Sequence, residues 1–169
     1  PRSTEQILHP ERYPGDAPQI VTLPPLTGTL GSGWRLADEN VLGEFTLSAY
    51  LDVYLTQRQA AQAAEGWGGD RYAIYQNADT GQALLVLLLT WDNEAEETEF
   101  VAAYQKHAQR RLGDIVPKIE GTYRTWWIGE KDVLLLARSD SPGAQRQTLI
   151  VLAPSEELTK RVLRTFPDF

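Results

Sequence analysis

Six residues carry the side-chain types from which a recognition or catalytic site could be built. Trp67, Asp70 and Arg71 sit in the run Gly66-Trp67-Gly68-Gly69-Asp70-Arg71, Trp91 and Asp92 lie further along, and Trp127 stands in the tail. Indole faces beside carboxylates suit sugars or peptides, because the ring offers apolar area and the carboxylate a fixed acceptor. Two glycines let the backbone bend tightly beneath Trp67. Asp70 and Arg71 can then pair, bond loop amides, or hold a polar ligand. The same residues have a plainer use, with Trp67 plugging the core while Asp70 and Arg71 staple a helix-to-strand turn. Asp70 and Asp92 bracket a predicted hairpin, an arrangement expected to keep them from meeting at one point. Trp126 and Trp127, adjacent on one strand, must face opposite ways.

Acid–base chemistry would draw on Asp70, Asp92 or Glu44. It requires two of them to converge in a cleft, about 5–10 Å apart for a glycosidase-like pair. His9 lies four residues after Glu5 with Glu11 near, spacing that allows either a shared metal or a solvated helical pair. His107 falls near the C-terminal end of a predicted helix, where a cation would face the negative end of the dipole. No nucleophile elbow, zinc-protease, phosphate-loop or dinucleotide motif is present, so the sequence assigns no catalytic residue, no metal and no cofactor. Gly28, Gly31 and Gly33 read as a turn.

The 169 residues carry a net charge of −7 and include neither cysteine nor methionine. Without cysteine there is no disulfide, thiolate metal site or thiol nucleophile. The acidic balance argues against nucleic acid or an anionic membrane surface as partner, since both require a basic stripe. The longest apolar run, Ala83 to Leu89, is too short to insert in a bilayer, which takes about 20 residues. A chain that starts at Pro1 without methionine reads as a processed or cut-out domain.

The patterning predicts an α+β domain over residues 36–169 behind an extended arm, 1–35, with element order ααββαβββα. In the arm, Ser3 and Gln6 form a capping box for a short helix stopped by Pro10. Ile20, Val21 and Leu23 can dock as an edge strand. Asp38 or Asn40 caps a largely buried helix, Val41 to Leu55, and Thr56 with Gln59 caps an alanine-rich one ending at Gly66. Tyr72–Gln76 and Gln82–Thr90 make a hairpin around Asn77–Gly81. Asn93 opens a helix from Glu94 to Leu112, acidic at its start and basic at its end, as the dipole favours. Strands at Thr122–Ile128, Val133–Arg138 and Gln147–Leu152 follow, the last two joined by a loop holding Pro142-Gly143, and Ser155 caps the closing helix. This amounts to an antiparallel sheet of about five strands with both faces covered, the helix pair 41–65 on one and the later helices on the other.

Three blocks in this chain carry a resemblance: Ser3 to Tyr13, the Gly66-Trp67-x-Gly69-Asp70-Arg71 run, and Trp91-Asp92 with the acidic stretch to Glu99-Phe100. Together they resemble the C-terminal region of uncharacterised exported surface proteins and lipoproteins of bacteria and halophilic archaea. The resemblance implies an extracytoplasmic location and a metallopeptidase-like region upstream, and carries over no functional residue. The expected function is a non-catalytic accessory or interaction module, whose partner is the upstream domain of the same polypeptide or another surface protein. Its rivals are a hydrolase using carboxylates near Gly66–Arg71 and a small-molecule or glycan binder at Trp67 and Trp127.

Overall fold

The computed structural model of the chain describes residues 5–8, 10–12, 18–140 and 146–169. In order these form α1 (Glu5–Leu8), a 3-10 turn (Pro10–Arg12), α2 (Thr27–Leu30), β1 (Trp34–Asn40), α3 (Gly43–Asp52), α4 (Gln57–Ala64), β2 (Trp67–Asn77), β3 (Ala83–Trp91), α5 (Glu94–Leu112), β4 (Lys118–Glu120), β5 (Arg124–Ile128), β6 (Val133–Arg138), β7 (Gln147–Ala153) and α6 (Glu156–Leu163). Ser3, His9 and Pro142-Gly143 lie outside the described residues, as does the Glu5 side chain.

The fold is α+β with an antiparallel sheet packed by helices, but among the described residues the sheet has seven strands rather than about five, in the order β1-β2-β3-β7-β6-β5-β4. The two unforeseen strands are its edges. β1 buries only Trp34 along its length, so it shows no alternation and owes its conformation to pairing with β2. Asp38 and Asn40 therefore lie in this strand and do not cap a helix. β4 is only three residues long.

Each face of the sheet carries one core. The first gathers Trp34, Leu84, Val86, Trp126, Leu135 and Val151 beneath α6, together with Val21, Leu26 and Leu30 from the segment before β1. That segment was expected to run over the surface with Ile20, Val21 and Leu23 as an edge strand; instead Val21, Leu26 and Leu30 anchor it in the core, while Ile20 stays exposed. The second core gathers Trp67, Leu89, Trp91, Trp127 and Leu134 beneath α3, α4 and α5. The long helix α5 thus shares a face with α3 and α4, and α6 alone of the later helices covers the other. Trp126 and Trp127 do face opposite ways, each into its own core.

Local chemistry explains the element ends. Thr56 and Gln59 form the capping box of α4, Asn93 accepts the amides of Ala95 and Glu96 at the start of α5, and Ser155 accepts the Leu158 amide at α6. Asn77 Oδ1 takes the N–H groups of Asp79 and Thr80, shaping the β2–β3 turn. Helix α3 departs from expectation. Only Leu47 and Leu51 are its fully buried apolar side chains, while Phe45 is 61% exposed. Its cap position is Leu42, which offers no side-chain acceptor.

Candidate functional site

The Gly66–Arg71 run is a strand, not a turn. From Trp67 onward it is β2, paired with β3 and carrying one bulge between Trp67 and Gly69. The bulge decides what the run can do. Along a regular strand, residues three apart face opposite sides; one extra residue shifts that alternation. Trp67 therefore pairs with Trp91 and Asp70 with Leu89, and all four side chains point to the same core.

Each glycine here marks a close approach. A Cβ at Gly69 would stand 2.5 Å from the Gln19 carbonyl oxygen, and one at Gly66 would collide with the Glu96 side chain. The segment before β1 crosses at this point, with the Gln19 N–H donating to the Gly68 carbonyl at 2.8 Å.

Asp70 is 2% exposed and collects three donors. The Leu42 N–H donates to Oδ2 at 2.8 Å, and the Gly43 N–H and Trp67 Nε1–H each donate to Oδ1 at 2.9 Å. Leu42 and Gly43 are the start of α3, so Asp70 is the missing cap of that helix, supplied from a strand distant in sequence. Burial pushes the Asp70 carboxyl above its ordinary value of 3.8, against the opposing pull of those three hydrogen bonds and of Arg71. Above it lies a cavity of about 410 Å³, bordered by Ile20, Val41, Trp67 and Arg71 among others, in which Asp70 is the one carboxylate among the described residues.

The remaining candidates are placed as follows. Arg71 Nε donates to Glu39 Oε1 at 2.8 Å, a partly exposed pair across β1 and β2. Trp91 is buried against Phe100, and its Nε1 donates to Thr148 Oγ1 at 3.0 Å. Trp127 is buried with Nε1 directed at Gln109 Oε1, 3.4 Å away. Asp92 sits beside Gly68, and its N–H donates to the Gly66 carbonyl at 3.2 Å. Asp70 lies opposite Leu89 within the β2–β3 ladder, whereas Asp92 follows the last paired residue of β3, Trp91, and does not border the cavity at Asp70. Glu44 is buried in the first turn of α3 and does not border the cavity at Asp70.

A family model, the domain of unknown function DUF8575, matches residues 33–163. The chain belongs to this family. The match runs from β1 to α6, so the β2 run, the α3 start it caps and the whole sheet belong to the DUF8575 domain. No curated protein and no solved structure matches the chain.

Two further polar groups of the DUF8575 domain are buried in roles that the sequence did not indicate. Glu97 is completely buried, bound to Arg138 at 2.8 Å and reached by Thr148 Oγ1 at 3.4 Å, which extends the Trp91 contact into a buried chain. The signal was its place on the α5 stripe one turn before Phe100. His107 was expected as a dipole-facing cation. Instead it is 1% exposed among the rings of Tyr50, Tyr54 and Tyr104. Burial lowers its proton affinity below the ordinary value of 6.5, and Arg111 adds to that. Its Nδ1 faces the Leu51 carbonyl at 3.4 Å; because a carbonyl only accepts, Nδ1 carries the proton, and Nε2 has no hydrogen-bond partner among the described residues.

Proposed function

We propose that this chain is a non-catalytic accessory or interaction module of an exported surface protein, presenting or stabilising a neighbouring domain. The observation that carries the reading is the engagement of Asp70. The foremost acid–base candidate takes two backbone amides and an indole, and thereby ties α3 to the sheet. A carboxylate acting as general acid or base must instead reach a substrate proton. The rim above Asp70 suits contact with another protein, since Ile20 is 95% exposed beside Val41 and the Arg71–Glu39 pair. The extracytoplasmic setting is supported by the resemblance of the three sequence blocks. The test is turnover of peptide, ester and glycan substrates by the chain and by Asp70→Asn. The expected result is no turnover by either; turnover lost in the variant would refute the reading.

A second reading is supported by the cavity at Asp70, whose volume is in the range that holds small ligands. It predicts a change in tryptophan emission when a glycan or small-molecule panel is titrated in, abolished by Val41→Trp. An emission unchanged across the panel opposes it.

A further inference from the structure

On the face away from the sheet, α4 and α5 leave a groove of about 890 Å³ between them. Helix α4 leads into Gly66, which is pressed against Glu96 in the first turn of α5, so the two helices run back along one another. At about 1.5 Å per residue, Arg58 near the start of α4 stands level with the middle of α5, towards Lys106. The charges lining the groove are consequently sorted, with Arg58 and Lys106 at one end and Glu94 and Glu99 at the other. Arg146 already binds Glu94 at 2.8 Å. Arg58, Glu99 and Lys106 form no ion pair among the described residues. Ala63 and Ala102 between the two ends leave room for a helix to approach closely.

We propose that this face is where two copies of the chain associate about a two-fold axis. An axis crossing the groove near Ala102 reverses the partner's α5, laying the basic end of each copy over the acidic end of the other. Lys106 then meets the partner's Glu99, and Glu99 the partner's Lys106. A uniformly charged partner would be matched at one end of the groove and repelled at the other; a second copy matches both. This surface is separate from the rim above Asp70, and the proposal stands whether or not that rim binds anything.

The experiment is sedimentation velocity on the chain and two charge reversals, with circular dichroism confirming the fold of each. The wild type is expected to dimerise at concentrations on the order of 100 µM, more weakly as salt rises. Lys106→Glu and Glu99→Lys alone should each weaken the dimer about tenfold or more, because like charges then meet twice. Mixed together, these two variants should form a one-to-one dimer, since every acidic end then faces a basic one. A wild type that stays monomeric, including one that instead binds an added amphipathic helical peptide, would overturn the proposal. So would a dimer indifferent to the single reversals, or two variants that fail to combine.

Discussion

The Asp70 carboxylate, on strand β2, accepts the backbone N–H of Gly43 at 2.9 Å and so closes the start of helix α3. With Leu42 at its own cap position, the helix has no local acceptor to offer. The cap comes from across the fold and holds the Trp67 indole at the same oxygen. Loss of the carboxylate should therefore damage strand, helix and core together. Asp70→Ala leaves two amides and an indole N–H without acceptors and is expected to cost about 2–4 kcal/mol in urea unfolding. Asp70→Asn keeps one acceptor oxygen and should cost less, about 1–2 kcal/mol.

The glycines of the same run are needed for space. Gly69→Ala drives a methyl into the Gln19 carbonyl and is expected to destabilise by about 1–3 kcal/mol. Gly28, in α2, has nothing within 4 Å of where its Cβ would be. Gly28→Ala should be neutral or stabilising by up to about 1 kcal/mol. Thermal unfolding of the two variants side by side separates crowding from a general intolerance of alanine.

How far the sequence announced this depends on whether the signal is local. Helix α5 was legible because Asn93, the acidic first turn, the basic last turn and Gly113 all lie within the helix or beside it. The β2–β3 turn was legible for the same reason, through Asn77. Strand β1 was not, since a polar edge strand lacks the apolar alternation that marks a half-buried one. In the site, Trp67 and Asp70 stood out by type, and the reading of Asp70 as a staple for amides was available. Its target was not, because nothing near Leu42 in sequence points to a partner 28 residues away. Gly68-Gly69 read as a turn since a bulge and a crossing backbone also call for glycine, and one sequence cannot separate the three.

His107 should make stability depend on pH with a definite sign. Its folded-state proton affinity is lowered by burial, so the unfolded chain takes up the proton first as pH falls below 6.5. Its contribution is full above 6.5 and is lost as pH falls towards the depressed folded value. Urea midpoints measured between about pH 5 and pH 8 should therefore drop on the acid side in the wild type. In His107→Gln that part of the slope should vanish.

Asp70 should act in the opposite direction. Burial raises its folded-state value above 3.8, so the folded chain holds the proton longer than the unfolded one. Its titration favours folding below 3.8, and that increment is lost as pH rises through the raised value. The difference in stability between wild type and Asp70→Asn should therefore shrink as pH rises across this window. Guanidinium titrations of both proteins at closely spaced acidic pH values would check it.

Native-state hydrogen exchange at the amides of Leu42 and Gly43 reads the junction itself. With the Asp70 carboxylate bound to both, the two amides should exchange slowly in the wild type. In Asp70→Ala they should exchange about tenfold or more faster, beyond the acceleration seen for Leu88 at the centre of the sheet. If Leu42 and Gly43 exchange as quickly in the wild type as in the variant, Asp70 does not hold the helix, and its buried carboxylate must have another use.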